Sequence, residues 1–385
     1  MNAINIRQHK SVKDRRVAVE QALGVNLGAI GHFNLSEEVA SSRNCENMIG
    51  VAQVPMGIAG PLIIKDVGEF FVPLATTEGA LVASVSRGAK ALTESGGVNA
   101  GAYRVGTTRG LVFTIRDIAH GVRLADFVYN HKIELNEIVH KLSTHTSVID
   151  VTVKTVGRYA FVRVGFNTQD AMGMNMATIA SDAIATYIAK NTDSKLLSVA
   201  GNYDIDKKPA WLNVIRGRGW EVRAECVIGA QVLEKTLKTS AQSLYDVWLG
   251  KCMIGSALSG SMAFNAHYAN IVAALFLAMG QDLAHVSEGC LGITTAEVLP
   301  AGDLYISVYL PDLMVGTVGG GTGLATQKEA LSILGIVGGN DGKNAEKLAM
   351  IVGSAVLAGE LSLLASLSSG SLGAAHQKLA RGGVK

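Results

Sequence analysis

An order of hydrophobic patterns between Gly110 and about Val199 constrains the fold of this chain most. Alternating apolar residues predict strands, and apolar residues three and four apart predict helices. The order is strand, helix, strand, strand, helix, strand, over residues 111–115, 125–142, 148–156, 161–166, 173–189 and 196–199. This is the order of the split βαβ, or ferredoxin-like, unit. Because candidate functional segments flank it on both sides, we interpret it as a domain inserted into a larger, discontinuous domain of an α+β protein.

Composition narrows the class of protein. The chain has 385 residues; 48% of them are apolar, 44 are glycine and only 5% are aromatic. This length suffices for two or three domains, and the small residues permit close packing of helices and strands. The formal charge of +2 is spread without a basic block, which argues against a nucleic-acid-binding surface.

Three features of the sequence indicate where in the cell the protein is located: the cysteines, the N-terminus and the apolar runs. The four cysteines show no C-x-x-C spacing, so neither a zinc site nor a disulfide framework is indicated. The first residues include charges and lack the apolar stretch of a secretory signal. The apolar runs 271–279 and 348–359 are shorter than the roughly 20 residues that span a bilayer. We therefore expect a cytoplasmic protein with no membrane partner, in which both runs are core helices.

A charged loop over residues 201–210 is the strongest functional signal. Lys207 and Lys208 follow Asp206 and precede Pro209, which disfavours helix at the residue before it. Alone, such a run is most often a solvated turn. Two adjacent ammonium groups in a constrained loop also suit the binding of an anion.

Five further segments, in this order along the chain, accompany the charged loop. They are Glu46-Asn-Met-Ile-Gly50, Thr76-Thr-Glu-Gly79, Asp170-Ala-Met-Gly-Met-Asn-Met176, Gly280-Gln-Asp282 and the terminal segment around His376. Together with the Asp-Lys-Lys-Pro loop they resemble 3-hydroxy-3-methylglutaryl-CoA (HMG-CoA) reductase, from about residue 45 to the C-terminus. The loop is similar to that of the eukaryotic and archaeal class, class I.

The resemblance implies a domain organisation. It comprises an N-terminal helical segment over 1–45, a large HMG-CoA-binding domain over 46–109 and 200–370, an inserted NADP(H)-binding domain over 110–199 and a C-terminal flap over 371–385. Family members place the active site between subunits, so a homodimer or homotetramer is expected. The implied reaction is the four-electron reduction of (S)-HMG-CoA to (R)-mevalonate and CoA, which uses two NADPH and no metal.

The resemblance also implies catalytic roles. Lys207 would stabilise the oxyanion that forms when hydride reaches the carbonyl carbon. Glu78, Asp282 and Lys207 would act as one titrating unit. His376 would protonate the leaving CoA thiolate. Alone, Glu78 is more typical of a first-turn helix acid, and His376 of an exposed surface histidine.

Binding residues are implied in the same way. Substrate would be bound by Arg109, Asp206, Lys208 and Asn270. The 170–176 segment opens a predicted helix whose N-terminus suits a pyrophosphate, although it is not a G-x-G-x-x-G motif. The expected cofactor-binding residues are Asp170, Met172, Gly173, Met174, Asn175, Gly319 and Gly320 from two turns, with Arg87 and Lys90 as basic residues near the coenzymes.

Two departures from the family pattern stand out. Ala200 replaces a serine that often precedes Gly-Asn-Tyr, which predicts weaker substrate affinity with catalysis retained. Gly382 stands where eukaryotic relatives carry a phosphorylated serine, so that form of regulation is not expected.

Two alternative functions remain open. One is NAD-dependent oxidation of mevalonate in a degradative direction, which cofactor preference would distinguish. The other is a non-catalytic CoA-binding protein. The presence of Glu78, Lys207, Asp282 and His376 together counts against the second, because binding alone does not need this set of acids and cations.

Overall fold

A computed structural model describes residues 8–370 of the chain. The predicted flap over 371–385, and with it His376, lies outside the described residues. The helices are α1 (Val12–Leu23), α2 (Glu37–Arg43), α3 (Leu81–Glu94), α4 (Ile118–Asn130), α5 (Lys132–Leu142), α6 (Met174–Thr192), α7 (Trp211–Arg216), α8 (Ala230–Val232), α9 (Ala241–Trp248), α10 (Ser256–Ser259), α11 (Tyr268–Met279), α12 (Val286–Gly289), α13 (Ala325–Ile333) and α14 (Lys343–Ser368).

The strands form antiparallel sheets, so the chain mixes helices and sheets as predicted. They are β1 (Met56–Ile64), β2 (Gly68–Ala75), β3 (Asn99–Thr114), β4 (Ser147–Val156), β5 (Tyr159–Asn167), β6 (Lys195–Ser198), β7 (Arg218–Ile228), β8 (Ile293–Val298) and β9 (Leu304–Leu313). β1 and β2 form a two-stranded sheet. The others form one sheet in the order β4-β5-β3-β7-β9-β8, with β6 also paired to β3.

Strand β3 joins two parts of this sheet. Its first half, from Asn99 to Gly106, pairs with β7, and its second half, from Thr107 to Thr114, pairs with β5. Strand β6 pairs with the end of β3 from the other side. Residues 107–110 therefore lie where one set of partners replaces the other.

Two large apolar cores lie on either side of this junction. The smaller core is formed by residues between 111 and 188, where α4, α5 and α6 pack on β3, β4 and β5. The larger core combines apolar residues from 59–98 with residues from 220–365. Two parts of the chain that are far apart in sequence therefore build one core, and the segment between them builds the other.

Helix α14 crosses the larger core. It is long and apolar enough to span a bilayer by length and composition, but 89% of its most apolar window is buried inside the protein. Helix α3 packs closely on it: a Cβ added at Gly88 would lie 1.9 Å from the carbonyl oxygen of Ala358. This environment is that of a core helix.

The structure corrects two predicted helices. The helix predicted over 125–142 is two helices, α4 and α5, that meet at His131. The His131 ring stacks on Phe127 with centroids 4.1 Å apart, and its Nδ1 contacts the Phe127 carbonyl. The apolar pattern also predicts one long helix over 261–279, but that helix begins only at Tyr268, because the buried Glu360 carboxylate accepts the backbone N–H of Ala266 and of His267.

A third correction concerns the segment around Glu78. Thr76 and Thr77 are good N-cap residues and predict a helix start there, whereas α3 begins at Leu81. The Glu78 N–H donates to Thr76 Oγ1, and Ala80 adopts a left-handed φ of 76°. Glu78 therefore lies in a turn before the helix and not in its first turn.

Candidate active site

A cleft of about 760 Å³ brings together segments that are far apart in sequence. Its walls come from the start of α6, the charged loop (201–210), the end of α11 and the glycine-rich loop before α13 (316–323). Among the lining residues are many that the sequence selected, namely Arg109, Met172, Gly173, Met174, Asn175, Asp206, Lys207, Asp282, Gly319 and Gly320.

Lys207 and Asp282 form an ion pair at this cleft. Lys207 Nζ lies 2.6 Å from Asp282 Oδ2, and the two side chains are 39% and 36% exposed. The other oxygen of Asp282 accepts the backbone N–H of Ala284 at 3.0 Å. Partial burial raises the pKa of Asp282, but the hydrogen bonds from Lys207 and Ala284 and the nearby His285 together lower it. Asp282 is therefore an ionised partner that holds the ammonium group at the cleft.

The backbone of Lys207 is held in an unusual conformation. Its φ is 58°, a left-handed value that non-glycine residues rarely adopt. Its N–H donates to Glu288 Oε2 at 3.1 Å. Glu288 is fully buried, so a carboxylate below the cleft fixes the turn that presents the lysine.

Arg109 and Asp206 form the adjoining part of the cleft. Arg109 Nη1 lies 3.2 Å from Asp206 Oδ2 and 3.4 Å from Asp204 Oδ2, and its Nε donates to Thr178. Partial burial raises the pKa of Asp206, but Arg218, His285 and Arg109 lower it. Lys208 points elsewhere: its Nζ donates to the Asp206 carbonyl at an exposed position.

A buried charge network lies beneath the charged loop, and sequence reasoning missed it. Arg218 is fully buried and donates to Glu288 Oε1 at 2.5 Å, to Asp206 Oδ1 at 2.9 Å and to Thr108 Oγ1 at 2.9 Å. Burial lowers the pKa of Arg218, but the surrounding carboxylates, Asp312 and Glu288 foremost, raise it. Its guanidinium therefore stays charged and pairs with the carboxylates around it.

His285 belongs to the same network. Its Nδ1 contacts Glu288 Oε1. The oxygens of Asp206 and Glu288, with the His285 ring, lie close enough to hold a metal ion, but Arg218 donates to both carboxylates and already supplies positive charge there. The i, i+3, i+6 spacing of Asp282, His285 and Glu288 is the signal that places them on one side of a helical segment. Arg218 has no such signal.

The opposite side of the cleft is formed largely by backbone. Gly173 precedes α6 with a φ of 86°, and a Cβ there would lie 2.3 Å from the Thr168 side chain. Gly319 and Gly320 also have positive φ, and a Cβ at either would meet no atom within 4 Å. The first turn of the 19-residue α6 thus faces open space beside bare main chain. This surface suits a phosphate-bearing ligand.

Asp170, predicted to bind cofactor, has a different environment. Its buried carboxylate accepts the N–H groups of Asn340 at 2.5 Å, Gly342 at 2.7 Å and Ala345 at 2.9 Å. These groups lie at the start of α14. In this structure Asp170 caps that helix and is not among the residues that line the cleft.

Glu78 and Asn270 contact each other and do not line the cleft. Asn270 Nδ2 donates to Glu78 Oε1 at 3.3 Å. Within residues 8–370 Glu78 forms no ion pair, so the described contacts of one chain join Lys207 to Asp282 and Glu78 to Asn270. The predicted unit of three titrating groups stays a prediction.

Arg87 and Lys90 line a second cavity, of about 480 Å³. Arg87 donates to the Ser362 carbonyl at 2.5 Å and also contacts Ser366 on α14. Lys90 forms an exposed pair with Glu94. Lys235 is a third cation at this cavity. The cavity is therefore a basic site, separate from the cleft, beside the small sheet of β1 and β2.

Comparison with known proteins agrees with the resemblance. The model of the hydroxymethylglutaryl-coenzyme A reductase family matches residues 11–381. The 3-hydroxy-3-methylglutaryl-coenzyme A reductase of Pyrococcus abyssi is 48% identical over 385 positions, which cover 98% of this chain and 94% of that protein. The reductase of Haloferax volcanii is 45% identical over 372 positions, which cover 95% and 92%.

The fold also matches a solved structure. The class II reductase from Streptococcus pneumoniae bound to NADPH superposes with a TM-score of 0.70 at 19% identity, over 95% of this chain and 99% of that one. At this identity the match shows a shared fold. By the family model and by its relatives, the chain belongs to the hydroxymethylglutaryl-coenzyme A reductase family.

Proposed function

We propose that the protein reduces (S)-HMG-CoA to (R)-mevalonate and CoA with two NADPH, as a cytoplasmic class I enzyme. The cleft itself carries this proposal, because it combines an ammonium–carboxylate pair with a backbone surface that suits a dinucleotide. Conversion of a thioester to an alcohol takes four electrons, which two hydrides supply.

Lys207 would stabilise negative charge on the substrate's carbonyl oxygen. Its ammonium is paired with Asp282 at 2.6 Å, yet 39% of its side chain is exposed, so one side of the group faces the cleft. A fixed cation beside a developing oxyanion lowers the barrier by several kcal/mol, on the order of a lost oxyanion-hole donor. The buried Glu288 contact to the Lys207 N–H fixes that position before substrate arrives.

Arg109, Asp206 and Lys208 would bind the hydroxymethylglutaryl end. The Arg109 guanidinium lines the cleft and is oriented by two aspartates, while Lys208 presents an exposed ammonium on the same loop. Lys208 would have to release the Asp206 carbonyl and turn into the cleft, where it and Arg109 would suit a free carboxylate, and Asp206 can accept the substrate hydroxyl. Asn270 and Glu78 would complete the site from a neighbouring subunit of the homo-oligomer.

NADPH supplies the hydride when it is bound. The start of α6, from Met172 to Asn175, would hold it together with Gly319 and Gly320. The named relative from Streptococcus pneumoniae binds NADPH, and the shared fold supports the same site here. Arg87 and Lys90 would bind coenzyme phosphates in the second cavity. The sheet order β4-β5-β3-β6, with helices between its strands, supports residues 110–199 as an inserted ferredoxin-like cofactor domain.

The test is a spectrophotometric assay of nicotinamide absorbance. Purified protein is mixed with HMG-CoA and NADPH, and separately with HMG-CoA and NADH, or with mevalonate, CoA and either oxidised cofactor. We expect fast NADPH loss with two equivalents consumed per mevalonate. Activity only with NAD and mevalonate would support the degradative alternative, and no turnover in any mixture would leave the CoA-binding alternative.

Lys207→Ala should abolish turnover while the protein stays folded. A matched control is Lys141→Ala on the exposed surface of α5, which should be fully active. A Lys207→Ala protein with measurable kcat would rule out the role given to this ammonium.

A further inference from the structure

His285 is a buried side chain with one unsatisfied nitrogen beside the Lys207–Asp282 pair. The residue is 0% exposed. Its Nε2 has no hydrogen-bond partner among the described residues, and it lies 3.8 Å from Asp282 Oδ2 and 3.9 Å from Asp206 Oδ1. An unpaired buried polar atom costs about 1–3 kcal/mol, so a role that retains it is expected.

Glu288 fixes the orientation of this ring. Its Oε1 contacts His285 Nδ1 and accepts from Arg218, while its Oε2 accepts the N–H of Lys207. The imidazole is therefore anchored on one side, and its other nitrogen is directed at the carboxylates. The charged groups that face the ring are Asp206 and Asp282 on the Nε2 side and Glu288 on the Nδ1 side, with Arg218 between the acids.

We propose that His285 is a positioning residue that acts through Nε2 on the Asp282 carboxylate, which holds the Lys207 ammonium in place. Asp282 Oδ1 is already fixed by the Ala284 N–H, whereas Oδ2 bears the contact with Lys207. In this arrangement each ring nitrogen carries a proton: Nδ1–H donates to Glu288 Oε1, and a hydrogen bond from Nε2–H to Asp282 Oδ2 would stop this carboxylate from rotating away when substrate enters. A contact of 3.8 Å needs to shorten by less than an ångström, and such bonds commonly tighten when substrate binds.

The proposal also predicts different effects on substrate affinity and on the rate of the chemical step. Arg109 and Lys208, which would bind the substrate carboxylate, do not contact His285. Asp206, which would accept the substrate hydroxyl, lies 3.9 Å from Nε2 but is held in place by Arg109 and Arg218. Loss of the Nε2 contact should therefore leave substrate affinity nearly unchanged and lower the rate of the chemical step. This prediction rests on the proposed reductase activity.

Two amide variants separate the nitrogens of the ring. Asparagine places its amide near the Nδ1 position, and glutamine reaches towards the Nε2 position. His285→Asn should lower kcat about tenfold or more with the KM for HMG-CoA within about threefold, as for loss of a transition-state interaction. His285→Gln should keep kcat within about threefold of the unchanged enzyme. Equal activity of the two variants, or a loss in His285→Gln alone, would overturn the proposal.

A second measurement does not depend on reductase activity. Lysines are reductively methylated with ¹³C-formaldehyde, and the Lys207 signal in the NMR spectrum is assigned by its absence from Lys207→Arg. His285→Asn should shift this signal and its titration midpoint, whereas His285→Gln should not. If HMG-CoA is not reduced, the proposed function fails, yet the shift still decides whether His285 positions the pair; an unmoved signal in His285→Asn rejects that role.

Discussion

At the scale of single residues, the base of the cleft contains several acidic side chains and few cations that can pair with them. Arg218 forms ion pairs with Asp206 and Glu288, whereas Asp312, next to Glu288, forms no ion pair within residues 8–370. Burial, with Glu288 next in importance, raises the pKa of Asp312 well above its usual value. The protonated form of Asp312 is therefore favoured, and its Oδ2 accepts from Asn213 Nδ2 at 2.5 Å.

Replacing Asp312 by Asn should stabilise the protein increasingly as pH rises. An amide can repeat the hydrogen bond with Asn213 and, like a protonated carboxyl group, carries no charge beside Glu288. Because the folded pKa is raised, the acid's contribution is fully present below about pH 4 and is lost as pH rises through the folded pKa, by up to about 1.4 kcal/mol per unit. Asp312→Asn removes that loss.

Urea unfolding of both proteins from pH 4 to 8 measures this difference. The gap in unfolding free energy should be smallest at pH 4 and should widen in favour of Asp312→Asn. Asp126→Asn, an exposed position on α4, is the control and should show no such widening. A gap that stays constant or narrows as pH rises would mean that Asp312 is ionised in the folded protein.

The resemblance selected Lys207, Asp282 and the cofactor turn, because these occur in short local motifs, and the structure places all three at the cleft. The network beneath them did not emerge from the sequence. Arg218 looks like any arginine before a strand, and its burial depends on a sheet register between β3, β7 and β9 that no local pattern specifies. Asp170 was selected by a local motif, but its carboxylate binds the backbone at the start of α14, about 170 residues away. The motif alone does not indicate this capping contact.

At the scale of elements, the start of α14 depends on Asp170. A buried carboxylate that accepts three N–H groups at a helix N-terminus combines capping with favourable interaction with the helix dipole. Asp170→Ala should lower the unfolding free energy by about 2 kcal/mol or more, with Asp170→Asn intermediate. Thermal unfolding and the KM for NADPH should be measured together. A raised KM with unchanged stability would instead support the predicted cofactor contact.

The packing of α3 on α14 depends on Gly88. A Cβ there would lie 1.9 Å from a backbone oxygen, so the helices must separate to admit it. Gly88→Ala should destabilise the protein by about 1–3 kcal/mol despite alanine's higher helix propensity. Gly250→Ala is the matched control, because a Cβ there meets nothing within 4 Å. Equal urea midpoints for the two variants would show that the helix contact is looser than the structure has it.

Several elements were predictable from periodicity, including β4, β5, α6 and β6. The failures share a cause. In each case a specific hydrogen bond interrupts the predicted helix. His131 bonds to the Phe127 carbonyl and the Glu78 N–H bonds to Thr76, both near in sequence. The 261–267 segment is held by Glu360, about 94 residues away. Hydrophobic spacing carries no information about such bonds.

At the scale of the whole molecule, the two halves of the predicted site do not contact each other within the described part of one chain. Lys207 and Asp282 share the cleft, whereas Glu78 and Asn270 share a contact outside its lining. If each active site is built across a symmetric interface, one subunit supplies the first pair and its neighbour supplies the second.

Mixed oligomers test this arrangement. Glu78→Ala and Lys207→Ala chains with different tags are co-expressed, and dimers that carry both tags are purified. One of their two sites then contains an intact Glu78 and an intact Lys207, so activity should return to about half that of the unchanged dimer. Pairing Glu78→Ala with Asp282→Asn should restore activity equally, because Asp282 is on the same side as Lys207. Pairing Lys207→Ala with Asp282→Asn should restore none, because every site then lacks one member of the ion pair. Inactive Glu78→Ala/Lys207→Ala dimers would place Glu78 and Lys207 in the same chain's site.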